Sequence, residues 1–203
     1  MTESPEAIVD PSADVAPDAE LGTGTRVWHL AQVREDARLG SGCVIGRGAY
    51  VGTGVVVGAN SKIQNYALVY EPARLGHGVF IGPAAVLTND QYPRAVNPDG
   101  SAKSASDWEA VGVTIGDGAA IGARAVCVAP VTIGRWALVA AGSVVISDVP
   151  DYGCVAGVPA RRVGWVGPAG RPLVADGPDH WRCPVTGAGF TQDAESLIPD
   201  EEN

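Results

Sequence analysis

The chain has 203 residues, a net charge of −9, 27 glycines and only 6% aromatic residues. That length suits one domain, or one domain with a cap, and the acidic balance argues against a non-specific nucleic-acid binder, which is normally basic. No apolar run is long enough to span a bilayer and the start, MTESPEA, lacks the regions of a signal peptide, so the chain reads as a cytoplasmic protein with a flexible tail at 1–7.

From Val9 an aliphatic residue stands at every sixth position: Val9, Val15, Leu21, Val27, Val33, Leu39, Ile45, Val51, Val57, Ile63, Val69, Leu75, Ile81 and Leu87. The series resumes at Ile115, Ile121, Cys127, Ile133, Val139 and Val145. Self-similarity at a fixed short period marks a repeat architecture, and a period of six is that of a hexapeptide β-helix. The preponderance of valine favours strand over helix. Four residues after most ruler positions stands a small residue, such as Ala31, Ala37, Cys43, Ala49, Ala67, Ala73 and Ala85. A glycine often follows the ruler residue directly, as at Gly22, Gly40, Gly58 and Gly82, which suits close backbone approach. An all-β helix is therefore expected over 8–150.

The ruler fails between Leu87 and Ile115, where the sequence turns polar and rich in proline and glycine. Loops of this length without structure of their own are usually functional or disordered. The segment at about 88–112 is expected to be a functional loop that reaches a neighbouring subunit. After Pro150 the ruler is lost again and prolines accumulate, so 151–203 reads as a C-terminal cap and tail. Cys43 and Cys127 fall on inward positions and read as buried small hydrophobes. Cys183, in HWRCPVTG, has no CxxC partner, and nothing in the spacing suggests a disulfide framework or a zinc site.

The segments VWHLAQ (27–32), KIQNYALVYE (62–71), LTNDQYPRA (87–95), TIGRWALVAAGSVV (132–145) and DVPDYGCVAGVPARRVGW (148–165) resemble, in this order, the hexapeptide-repeat acyltransferases. The branch they resemble N-acylates the 3-amino group of nucleotide-linked amino sugars. The resemblance covers about residues 8–167. It implies a left-handed parallel β-helix of triangular section, with three hexads to each coil of 18 residues. It also implies a homotrimer with active sites between subunits, acetyl-CoA as co-substrate, no metal, and a dTDP- or UDP-linked amino sugar as acceptor.

A coil of 18 residues places His29, Arg47 and Asn65 in one column, with His29 and Asn65 about 9–10 Å apart by strand spacing. Glu71 and Asn89 form a second column on a different face, and His77 falls on the third, where it reads as a solvated surface residue. The expected chemistry is attack of a sugar amine on a thioester, which needs a neutral amine, a stabilised oxyanion and aligned ligands. Asn89, in the family's TN pair, is expected to orient the amine, since its side chain both accepts and donates. His29 is expected to act as base or sugar contact, a role suited to an imidazole; Gln32 stands where the family has a second histidine. The resemblance further implies sugar contacts at Asn65, Tyr70 and Glu71, with Tyr66 in place of the family's second asparagine. Arg94 and Lys62 are candidates for anionic groups of the acceptor, with Tyr92 standing where the family has an asparagine beside that arginine. Backbone amides at Ala141 and Gly142 are expected to face pantetheine or thioester, with Arg161 and Arg162 on the phosphates of CoA. A three-histidine zinc site of the γ-carbonic anhydrase kind is excluded by the spacing of His29, His77 and His180. The other readings are a non-catalytic assembly subunit, or an acetyltransferase on another small amine or hydroxyl.

Overall fold

The computed structural model describes residues 6–200, so residues 1–5 of the expected tail lie outside the described residues. Each hexad folds alike. Two residues extend as strand, with the first side chain outward and the ruler side chain inward. One linking residue and a two-residue turn follow, and then the small residue points inward. Ruler residues such as Ile45, Val51, Ile63 and Ile81 are wholly buried, as are the small Ala31, Ala37, Cys43 and Ala67. Three hexads close one coil, so every strand pairs in parallel with the strand 18 residues on: Val27 with Ile45, Val33 with Val51, Leu39 with Val57. The twenty strands from β1 (Ile8–Val9) to β20 (Val144–Val145) thus stack into the three faces of a prism. The first face starts at β1, and the first corner links it to the second face.

The corners decide which residues are tolerated. The second turn residue takes a left-handed backbone conformation, for example Leu30 (φ 57), Asn60 (φ 60), Tyr66 (φ 59) and Gly48 (φ 62). In most coils its N–H donates to a carbonyl of the turn one coil earlier: Gly42 to Thr23 at 2.9 Å, Asn60 to Ser41 at 2.8 Å, Gly78 to Ala59 at 2.8 Å; Leu30 donates instead to Ser12 Oγ at 3.2 Å. That cross-coil bond offsets the strain carried by the non-glycine residues. The glycine after the ruler residue answers a different need. A Cβ at Gly82 would stand 2.6 Å from the backbone nitrogen of Ala123, and one at Gly40 2.6 Å from that of Ala59.

The N–H of the first turn residue points along the prism, and in several places a side chain from the next coil accepts it. Asn65 Oδ1 accepts from Arg47 (2.9 Å) and Asp117 Oδ1 from His77 (2.8 Å). Asp151 Oδ1 accepts from Arg135 (2.6 Å). His77 Nδ1 accepts from Ala59 (3.1 Å), so the ring read as merely solvated is a corner cap. Three polar residues inside the prism are satisfied in the same economical way: Thr25 and Ser61 donate to the carbonyls of Gly40 and Gly76, and Ser143 accepts from Gly157 N. Burial pushes the Cys127 thiol up to about 12, which leaves it inert.

The break in the ruler leaves the prism at its second corner. After β14 (Val86–Leu87) the chain departs, and it returns at β15 (Val113–Ile115) in perfect phase: Leu75 pairs Ile115, a separation of 40 in place of 18. The mouth is tied by the Val111 N–H on the Asn89 carbonyl (3.0 Å) and the Ala129 N–H on Thr88 Oγ1 (3.0 Å). Beyond the mouth the segment is largely exposed, with a small turn bridged between Val96 and Ala102.

At the far end the last coil is two residues short, since Ile133 pairs Val149 and Val139 pairs Val155, offsets of 16. β21 (Gly153–Gly157) adds to the first face and β22 (Ala160–Trp165) turns back antiparallel against it. There follows a separate antiparallel sheet of β23 (Val174–Ala175), β24 (His180–Arg182), β25 (Gly189–Asp193) and β26 (Ser196–Pro199). Its own core holds Tyr152, Trp165, Leu173, Cys183, Phe190 and Leu197. The indole N–H groups of Trp165 and Trp181 share Gln192 Oε1 at 2.8 and 3.0 Å. His180 is bracketed by Asp200 at 2.8 Å and Asp176 at 3.5 Å.

Two outcomes follow from this packing. Gly82→Ala must displace backbone rather than a side chain, and is expected to cost about 1–3 kcal/mol, read as a lower urea midpoint. The hydrogen bond to Asp200 raises the His180 pKa above 6.5, and the same bond lowers the Asp200 pKa below 3.8. The pair's contribution is therefore whole between those ordinary values, fades as pH rises through the raised histidine value, and fades as pH falls through the depressed aspartate value. Cap unfolding followed by tryptophan fluorescence is expected to show that plateau in the wild type, and the alkaline decline is expected to vanish in His180→Gln.

Candidate functional site

The second corner gathers the residues at the loop mouth. Tyr50 faces outward on the second face, one coil before Leu68. Its ring meets that of Tyr70 at 5.1 Å with a tilt of 47°. Beside them Glu71 carries a buried carboxylate oxygen, Oε2, with no hydrogen-bond partner. It lies against Gly52, where any Cβ would collide with it. Burial pushes the Tyr50 hydroxyl above its usual value, and the nearby Glu71 carboxylate adds to the rise. Asn89 follows one coil later. Its carbonyl is occupied by Val111, while its side-chain amide has no partner among the described residues. A carboxylate oxygen and an amide left open at one rim are groups that a polar ligand would satisfy.

The first corner holds the other expected column. His29 Nε2 lies 3.2 Å from Asp10 Oδ2, a contact that orients the ring. Arg47 and Asn65 stand above it, but Asn65 spends its oxygen as the cap of Arg47, so only its NH₂ is free. The turn bonds continue the same column upward: Ala84 N to Asn65 O, Arg124 N to Pro83 O, Gly142 N to Ala123 O. Asn65, Pro83, Ala123 and Ala141 therefore share one corner, and the amides expected to face CoA lie in line with His29. Since Ala141 has no side-chain acceptor to offer, the Ala123 N–H is uncapped. The Ala141 N–H is likewise without a partner among the described residues. These are fixed donors of the kind an oxyanion requires.

The remaining expected residues are dispersed. Lys62 faces outward on the first face. Arg94 lies exposed in the loop, donating only to the carbonyl of Pro93. Arg161 is exposed, but Arg162 is held by Glu195 at 2.8 Å and lies over the Trp165 ring at 4.3 Å. Arg162 thus fastens the cap to β22, a role that its place in GVPARR did not reveal. Within one chain, the second face separates His29 and Asn65 from Glu71 and Asn89. Tyr50 escaped the sequence reading, although its position 18 before Leu68 and 20 before Tyr70 carried the signal. A cavity of about 720 Å³ lies elsewhere, in the cap between Tyr152, His180, Arg182 and Phe190. Among the described residues no group of three or more histidine, cysteine or acidic side chains is placed to hold a metal ion, and no helix is long and apolar enough to cross a membrane.

Three-sided coils with these corners define a hexapeptide-repeat protein, and the pattern described as the hexapeptide repeat of succinyl-transferase matches residues 35–65 and 112–147. Among solved structures the chain is similar to LpxA, a UDP-N-acetylglucosamine acyltransferase from Bacteroides fragilis. The TM-score is 0.64 at 16% identity, over 79% of this chain and 61% of that one, which marks the fold as a left-handed β-helix. The bifunctional protein GlmU of Synechococcus sp. (strain RCC307) is 32% identical over 158 residues, 75% of this chain and 34% of that protein. The dTDP-3-amino-3,6-dideoxy-alpha-D-galactopyranose 3-N-acetyltransferase of Aneurinibacillus thermoaerophilus is 55% identical over 49 residues, 24% of this chain and 26% of that one. The chain spans about a third of the length of the GlmU relatives it matches.

The double duty of Asn65 can be separated by substitution. Asn65→Ala removes the cap on Arg47 and is expected to lower stability by about 1 kcal/mol. Asn65→Asp keeps an acceptor there, and its thermal midpoint is expected to stay near the wild type.

Proposed function

We propose that this chain is an acyl-CoA-dependent N-acyltransferase, transferring acetyl to the 3-amino group of a dTDP- or UDP-linked amino sugar, in the cytoplasm. The observation that carries the reading is the pair of stacked amides at Ala123 and Ala141, without partners among the described residues, a preformed donor column on one corner. The local likeness to a 3-N-acetyltransferase of a dTDP-amino sugar supports the choice of acceptor.

In this reading the thioester carbonyl lies against the first corner, with pantetheine alongside Ala141 and Gly142 and the phosphates of CoA near Arg161. Asn89 accepts from one N–H of the sugar amine through its oxygen and steers the lone pair toward the carbonyl. Attack forms the C–N bond and places negative charge on the former carbonyl oxygen, where the Ala141 N–H meets it. The C–S bond then breaks, the thiolate leaves, and the proton released from the amine passes to the sulfur or to water. His29, oriented by Asp10, serves as proton acceptor or as a sugar contact. Asn65 through its NH₂, Tyr70 and Glu71 hold the sugar, and Lys62 and Arg94 take its anionic groups.

Because the two columns sit on different corners, the site is completed between chains of a homotrimer. The outward residues support this arrangement. Tyr50, Leu68, Val86, Val126 and Val144 make an apolar strip along the second face, and Phe80, Ala120 and Leu138 one along the upper first face, above Lys62. The third face instead presents Glu20, Arg38, Arg74, Thr114 and Thr132, with Val56 its one apolar outward residue among these strands. An apolar second face, an apolar upper half of the first face and a more polar third face suit a prism packed against two copies of itself.

Asn89→Ala is expected to lower kcat more than about a hundredfold, the scale of losing one positioned polar group, while sedimentation still reports a trimer. Turnover is read by mass detection across a panel of nucleotide-linked amino sugars with acetyl-CoA. Wild-type turnover in the variant would remove Asn89 from the mechanism.

A further inference from the structure

The lower part of the first face carries a concentration of positive charge that runs against the acidic balance of the chain. Arg26 and Lys62 flank Val44 in register from either side. Their Cα atoms are two strand spacings apart, about 9.6 Å. Arg47 stands three residues beyond Val44, on the adjoining first corner. Arg26, Lys62 and Arg47 are all exposed, and none has a carboxylate partner among the described residues. Elsewhere Arg34, Arg38, Arg135, Arg162 and Arg182 each hold one. Asp10, the nearest acid of the first corner, is engaged by His29 and by Ser12.

Aromatic rings border the same patch. Trp28 is 44% exposed and lies nearly parallel to the His29 ring, at 9° and 6.3 Å between centroids. Tyr66 is 53% exposed, and its ring is laid over Gly48, where a Cβ would stand 2.6 Å from Cε1. Gly48 is the residue after Arg47, so the tyrosine ring lies beside the arginine and the tryptophan one coil below it. Free guanidinium and ammonium groups recognise phosphate oxygens, and exposed aromatic faces stack on a nucleobase.

We propose that Arg26, Arg47 and Lys62, bordered by Trp28 and Tyr66, form a subsite for a nucleoside 5′-diphosphate group. The inference rests on the acyltransferase reading and deepens it, adding Arg26, Arg47, Trp28 and Tyr66 to the residues that hold a substrate. Two substrates of that reaction contain such a group, the nucleotide-linked acceptor and the ADP portion of CoA. The diphosphate bridges the cations across Val44, and the base lies against the corner rings.

The test is isothermal titration of the full chain with two ligand sets, dTDP, UDP and GDP in one, CoA and ADP in the other. Arg47→Gln, Arg26→Gln and Tyr66→Asn are compared with wild type, with circular dichroism to confirm folding. Arg47→Lys is added as a variant that keeps the charge but loses the bidentate fork. Each cation removed is expected to weaken one of the two sets about tenfold, the size of one lost charge-assisted contact. Loss confined to the first set assigns the subsite to the acceptor, and loss confined to the second assigns it to CoA. Affinities unchanged for both sets overturn the proposal. Acetyl transfer with unaltered KM values in all three variants also overturns it and leaves the acyltransferase reading standing. Nucleotide binding lost through these variants in a chain that transfers no acetyl group supports the subsite and removes the reaction instead.

Discussion

Everything in this molecule depends on how closely one corner can lie on the next. Strand spacing sets the rise of the coil at about 4.8 Å, and at that distance there is no room for a side chain beneath the backbone of Gly40 or Gly82. The alternation of one large and one small inward residue follows from the same limit, because the interior narrows at each bend. So does the left-handed turn residue, whose N–H reaches the turn of the preceding coil. The prism is less a hydrophobic core dressed with loops than a stack of backbone contacts filled with valine, isoleucine and alanine.

That stack explains why polar residues at the corners are hard to interpret. The N–H of the first turn residue needs an acceptor, and asparagine, aspartate or histidine from the next coil supplies one. Asn65, His77, Asp117 and Asp151 all serve in this way. These are the side chains from which catalytic proposals are usually built. The third corner is capped in this manner over much of its length. The upper first corner is not, since alanine and proline follow where an acceptor would stand. An open donor column therefore arises from the omission of a cap.

The repeat was legible because its cause is local and strict. Every inward position answers to one geometry, so the period of six, the glycine after the ruler and the small residue four further on all mark the same coil. Column arithmetic then placed His29 with Asn65 and Glu71 with Asn89. It also carried Ala141 to the corner of His29, although that alignment emerges only once the loop is known to return in phase. What was not legible depended on contacts between distant segments. The partner of Arg162 lies 33 residues away at Glu195. The cap sheet has strands too short for a period-two pattern, and its core is drawn from six scattered residues. The final coil, shortened by two residues as it approaches Pro150, breaks a count that had no reason to fail earlier.

The phase-true return of the chain after its excursion has an evolutionary meaning. Contacts in a stack of coils always close loops of the same length, here 18 residues, and the excursion raises one of them to 40. The added entropy of closing that longer loop is only about 0.7 kcal/mol, since the cost grows with the logarithm of length. The mouth is tied by its own hydrogen bonds, so the span beyond it can be rewritten or resized while the prism keeps its register. Selection can thus rework one segment without re-optimising the scaffold that carries it.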